Sequence, residues 1–259
     1  MDYLGILLAV LILFLAQRLE VRLGPAVGGW VAALPIVFGI AATTIALTKS
    51  PLSAATMSWS GAGQLAPMVI YALVIAFLAQ RLVPLLAFIF GLISYVLSCL
   101  LVLLVQEPIR LLFGACVLGF GLYVFPRINK GAIVSEQQTK AKQGLTLASA
   151  AIYVAVIGLT NNVLGPELAG VVGAFPAMTT TLAVAAAIRQ GSQAPGSVME
   201  GMVRSLPIYF VYALLFGFLV VTVNVWIATA TSLFVSLIVA LATWKWLPKR
   251  ALERNDNTL

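Results

Sequence analysis

Apolar runs long enough to cross a bilayer follow one another along almost the whole chain, and nothing constrains its fold more. A membrane-spanning helix needs roughly 20 mostly apolar residues. Here only 9% of the residues are charged and 62% are hydrophobic, whereas a soluble domain carries about 25% charged residues to face water. The expected fold is therefore an all-α polytopic membrane protein. The opening MDYLGILLAVLILFLAQ has no basic residue before its apolar core and no small-residue cleavage site, so it reads as a retained first helix and not as a signal peptide.

Nine spans are expected, near 3–20, 25–47, 63–80, 83–105, 109–125, 145–163, 166–188, 197–222 and 225–244. PRINKGAIVSEQQTKAKQ (126–143) is the one hydrophilic connector between them. With this count, thirteen basic residues fall on one face of the membrane and two, Lys49 and Arg110, on the other. That asymmetry places the linker and the C-terminus in the cytoplasm and the N-terminus outside. The net charge of +7 is spread singly over loops and tail. It suits topology and anionic headgroups, not nucleic acid. Cys99 and Cys116 both lie in apolar runs, without a disulfide framework or metal-ligand spacing.

The chain also repeats itself. GPAVGGWVAALPIVFGI from Gly24 aligns without a gap on GPELAGVVGAFPAMTTT from Gly165. This single displacement superposes Gly24 on Gly165, Pro25 on Pro166, Gly29 on Gly170 and Pro35 on Pro176, and further on Tyr71-Ala72-Leu73 on Tyr212-Ala213-Leu214. From 24 to 79 there are 14 identities in 56 positions, glycines and prolines among them. Internal duplication follows. The expected organisation is one membrane domain: repeat 1 at 3–105, a linking helix and cytoplasmic linker at 106–143, repeat 2 at 144–245, and a tail at 246–259. Equivalent helices stand five crossings apart, an odd number, so the two four-helix copies are expected to be inverted, as in many secondary transporters.

Pro35 and Pro176 fall inside equivalent spans. Proline removes a donor and clashes with the carbonyl four residues back, so the carbonyls of Val31 and Val172 are expected to be freed there. Paired interruptions of this kind, with Gly29 and Gly170 beside them, point to a midplane site. Small residues at such spacing also serve close helix packing, and both readings stay open.

AGVVGAFPAMTTTLAVAAAIRQG followed by SLPIYFVYALLFGFL resembles the GlpM-like group of small bacterial inner-membrane proteins. The likeness is carried by 165–220 and more weakly by 24–79, where Leu34-Pro35 replaces Phe-Pro. It implies a multi-pass protein of the bacterial inner membrane, here in two tandem copies. It brings no activity and no site residue.

Chemistry has few residues to draw on. The chain has no histidine, and its two aspartates, Asp2 and Asp256, are at the termini. No catalytic constellation, metal site or cofactor motif can be assembled from this set, so an enzyme is not expected. Glu200 and Arg204 are four apart near the start of a span, with the acid first, the favourable order on a helix. They either snorkel to the surface or form a site in which Arg204 holds an anionic group and Glu200 a coupling proton. The first copy has Trp59 and Gly63 at these places. Thr179, Thr180 and Thr181 either bond back to the preceding turn or offer uncharged ligands at the break. Tyr71, Tyr209 and Tyr212 add amphipathic rings, and Asn161 and Asn162 read as an outward turn.

Two functional classes remain. One is a small secondary transporter with its site between the broken helices, for a small anion or an amphipathic metabolite. The other is a non-transporting scaffold or accessory subunit that binds a membrane protein or lipid, with Gly114, Gly119 and Gly121 as a packing seam. The bilayer is the one certain partner, and homo-oligomerisation stays open.

Overall fold

The computed structural model describes residues 18, 22–128, 163 and 165–245, except for the side chain of Arg189. The expected spans 3–20 and 145–163, the linker from 129, the Asn161–Asn162 turn and the tail from 246 lie outside the described residues, apart from Arg18 and Val163. Within them the chain forms ten helices: α1 Pro25–Ala32, α2 Ile36–Thr48, α3 Pro51–Ala62, α4 Leu65–Leu78, α5 Pro84–Leu103, α6 Glu107–Ile128, α7 Pro166–Ala174, α8 Ala177–Gln190, α9 Ala194–Leu219 and α10 Val225–Trp244.

Among the described residues six segments are long and apolar enough to cross a membrane: Pro25–Thr48, Pro84–Leu103, Glu107–Ile128, Pro166–Ile188, Ala194–Leu219 and Val225–Trp244. The pair α3 and α4, bent by 41°, makes a seventh if taken as one span. Leu85, Leu100, Leu112, Phe234 and Leu241, on α5, α6 and α10, are each more than half exposed. An uncharged apolar surface of that extent suits lipid and not water. The protein is a multi-pass, all-α membrane protein.

One expected connector is helical. Residues 48–62 read as a link because PLSAATMSWSGA is poor in large apolar residues, yet they contain α3. The start is set by Ser50, whose side chain accepts the Ser53 N–H at 3.1 Å, with Pro51 in the first turn. Its small residues pack instead of facing lipid, and Ser58 and Ser60 are fully buried. Pro67, which removes the donor for the Gly63 carbonyl, and the glycines at 61 and 63 account for the bend that follows.

Helix boundaries recur at the displacement seen in the sequence, the interval from Gly24 to Gly165. α7 and α8 begin one such interval after α1 and α2, and α10 both begins and ends one interval after α5. Gly24 and Gly165, just before the paired starts, have φ of 99° and 88°. Only glycine adopts that backbone readily, and the proline after each fixes the first turn.

Both interruptions have the same turn. Ile36 N–H donates to the Leu34 carbonyl and Ala177 N–H to the Phe175 carbonyl, each at 2.8 Å. The carbonyls expected to be free are not. Leu34 N–H donates to Val31 at 3.2 Å and Phe175 N–H to Val172 at 3.1 Å. Ahead of a proline that cannot donate, the chain tightens into an i→i−3 turn and recovers the acceptor.

α9 is the hub of the packing, lying against α1, α3, α4, α6, α8 and α10. A methyl added to Gly29 would run into the Val198 carbonyl oxygen, and one on Gly170 into that of Met57. Met57 and Val198 are themselves related by the repeat displacement, so the two contacts exchange roles between the halves. The pattern recurs further out. Trp30 on α1 donates to Thr243 on α10 at 3.3 Å, and Tyr95 on α5 donates to the Val171 carbonyl on α7 at 3.0 Å. Direction can be read from the same neighbours. α9 meets 25–48 at Gly29 with Val198, Phe38 with Tyr209 and Gly39 with Tyr212, in rising order. Against α3 and α4 the order reverses: Trp59 meets Gly217, Gly61 meets Tyr209, and Val69 and Val203 share Gly121.

Candidate functional site

The two interruptions face each other across a cavity of ≈ 50 Å³. Its walls are residues 32–35, 37 and 38 from the first break, 173–179 from the second, and Met68 and Tyr209. All of these except Ala177 form pairs related by the repeat displacement, Pro35 with Pro176, Phe38 with Thr179 and Met68 with Tyr209 among them. A water needs about 10–15 Å³ of such space. The cavity therefore has room for a few waters or one small ion, far below the roughly 300–1,000 Å³ of a metabolite pocket.

Both α2 and α8 begin at this cavity, capped by Pro35 and Pro176 with no side-chain hydrogen bond to their first turns. Each brings the positive end of a helix dipole, with its first amide already spent on the turn, Ile36 on Leu34 and Ala177 on Phe175.

Thr179 is the sequence-predicted threonine among the residues that line the cavity. It is 1% exposed, and its Oγ1 makes no hydrogen bond among the described residues. Its neighbours differ. Thr180 Oγ1 donates to the Pro176 carbonyl at 2.7 Å and Thr181 Oγ1 to that of Ala177 at 2.9 Å, each four residues back. The carbonyl four residues before Thr179 belongs to Phe175 and already holds the Ala177 N–H.

The tyrosines bracket the breaks. Tyr71 bonds to Thr180 on α8, and the Tyr212 hydroxyl lies over Gly39 on α2, the position equivalent to Thr180. Tyr209 packs edge-on against Phe38, with ring centroids 5.1 Å apart.

Glu200 and Arg204 do not join this group. They bind each other, with Arg204 Nη2 at 2.7 Å and Nε at 3.1 Å from Glu200 Oε1. Both are largely buried, and neither lines the cavity. Gly29 and Gly170 are at the crossings with α9 and α3 and outside the breaks.

Two polar residues escaped the sequence reading. Gln64 is fully buried at the α3–α4 bend, and its Oε1 has no hydrogen-bond partner among the described residues. Arg110, counted above as a charge of the outer face at the start of the span 109–125, is in the first turn of α6 and only 5% exposed. Its Nε and Nη2 donate to the Val105 carbonyl at 3.3 and 3.1 Å, and Nη1 has no partner among the described residues. The side chain lies across Gly63, where an added methyl would run into its Cδ. A glycine in the first copy at the place of Arg204 was the available signal, since it opens space for an arginine delivered from elsewhere.

The chain matches no family model, and no curated protein or solved structure is significantly similar to it.

Proposed function

We propose that the protein is a small secondary transporter, made of two inverted four-helix repeats and a linking helix, with its substrate path through the cavity between the two proline breaks. The observation that carries this reading is the pairing of the cavity walls at one displacement. A site on the axis between inverted halves has this composition in carriers that alternate by rocking one half against the other. The opposed directions of α9 and the α3–α4 pair support the inversion. Nine spans, two of them outside the described residues, complete the scheme, with the C-terminus cytoplasmic and the N-terminus outside. The resemblance of 165–220 to the GlpM-like group leads us to assign the bacterial inner membrane.

Cysteine accessibility tests the inversion. After Cys99 and Cys116 are replaced by alanine, single cysteines are placed at Lys49 and at Gly191, the ends of the paired spans. Labelling from opposite sides of the membrane is expected, and labelling from one side ends the reading. Transport is tested by solute uptake into vesicles containing the purified protein.

The scaffold reading has one observation in its favour. The Glu200–Arg204 pair satisfies itself away from the cavity, as a structural clasp does. It predicts no flux of any solute, together with loss of a partner protein when Gly119, the member of the glycine seam that meets nothing within 4 Å, is replaced by a bulky residue; Gly114 and Gly121 pack inward against Leu65 and Val69.

A further inference from the structure

One side of α4 is left uncovered by its neighbours. Val69 meets α6 and α9 at Gly121, which Val203 shares, and Tyr71 packs on Tyr95 of α5 and bonds to Thr180 of α8. α5 and α6 both pack on α4 and hardly on each other, so a strip of α4 stays open between them. Ile70, Val74 and Phe77 form it at helical spacing. The first two are partly buried and Phe77 is 43% exposed. From Ile70 to Phe77 the strip runs roughly 10 Å along the helix.

Arg81 closes the strip, with its Cζ 3.6 Å from the centroid of the Phe77 ring. α6 ends beside it in the same arrangement, with Arg127 Cζ 3.6 Å from the Tyr123 centroid. Gln80 Nε2 donates to the Ile128 carbonyl at 3.5 Å and ties the two helix ends together. Both arginines are exposed. The Arg81 guanidinium has no hydrogen bond or ion pair among the described residues, and Arg127 commits Nη1 to the Tyr123 carbonyl. A ring beneath a guanidinium orders it and leaves N–H groups in its plane, the fork that matches a phosphate.

We propose that this surface is a binding site for an acidic phospholipid, whose acyl chain lies on the strip between α5 and α6 and whose phosphate bonds to Arg81 and Arg127. The site is apart from the cavity and stands whether or not the protein carries a solute. Carboxylates do not compete for the two arginines. Among the described residues Glu107 begins α6, at the opposite end from Arg127, Glu167 lies beside Ser60 of α3, and Glu200 is bound to Arg204. Exposed charges alone hold a soluble anion weakly. A lipid adds apolar contact along the strip and is already concentrated at the membrane surface.

The test uses the full-length protein in detergent, with thermal unfolding followed as phosphatidylglycerol or phosphatidylcholine is added. Saturable stabilisation by phosphatidylglycerol, beyond any from phosphatidylcholine, is expected. Arg81→Gln and Arg127→Gln should each weaken it about fivefold, the effect of one basic side chain at a membrane surface. Val74→Trp, which fills the strip and leaves both arginines in place, should weaken it as well. Arg22→Gln removes an exposed charge ahead of α1 and should bind as the parent does. Glycerol phosphate, the same headgroup chemistry without acyl chains, should give no stabilisation. Equal stabilisation by glycerol phosphate, an equal loss in Arg22→Gln, or undiminished binding in a folded Arg81→Gln, Arg127→Gln double variant overturns the proposal.

Discussion

Tyr71, from the first half of the chain, donates its phenolic hydrogen to Oγ1 of Thr180 in the second. Thr180 has already given its own hydrogen to the Pro176 carbonyl, so the direction of the bond is settled. The pair ties α4 to α8 one turn beyond the break. Tyr71→Phe should lower stability by about 1 kcal/mol, the net value of a hydrogen bond. Thermal unfolding in detergent reads it, and a double-mutant cycle with Thr180→Val should return coupling of similar size.

Glycine substitutions should separate packing positions from spacers. Gly29→Ala and Gly170→Ala each force a methyl against backbone, and overpacking of that kind costs about 1–3 kcal/mol. The two losses should be alike, because the contacts are counterparts. Gly119→Ala meets nothing within 4 Å, and it should stabilise α6 by about 0.5–1 kcal/mol through helix propensity. Comparison of the three melting temperatures decides the matter.

Removing one member of the Glu200–Arg204 pair leaves the other charge buried. For fully buried pairs the loss is about 3–5 kcal/mol, and the partial exposure of Arg204 puts the expected figure near the lower end. Glu200→Gln should therefore be markedly less stable than the double variant Glu200→Gln, Arg204→Gln. Denaturation of the two variants side by side checks the order.

Arg110→Met exchanges an arginine with an unbonded Nη1 for an apolar side chain of comparable length. Buried charges replaced in this way often leave stability unchanged or raised by about 1–4 kcal/mol. A neutral or higher melting temperature is expected, and a clear drop would mean that the cap on Val105 outweighs the desolvation of the guanidinium.

The spans among the described residues, both breaks and the displacement that relates them were legible because each rests on local chemistry: apolar runs, proline at a fixed place, glycine before it. Helix α3 was not legible. Its serines and glycines resemble a loop when lipid is taken as the default neighbour, and only tertiary packing against α7 and α9 makes them helical. Thr179 was visible as one of three threonines. Its distinction from Thr180 and Thr181 depends on which carbonyl the turn at Pro176 consumes, a detail set by the backbone. Glu200 and Arg204 drew notice as charges, but their separation from the cavity follows from where Tyr209 lies along α9. Arg110 was counted as an outer-face charge, and its inward turn depends on the space left by Gly63, a contact between distant parts of the chain.

Phe38 and Thr179 occupy matching places on the two walls of the cavity. Two identical subunits arranged about the same axis would have to present either two phenylalanines or two threonines there, since every replacement would be made twice. Once duplicated genes are fused, each wall can evolve by itself. One wall keeps a bulky ring while the other has a threonine, and an opening between two similar walls becomes a handed one.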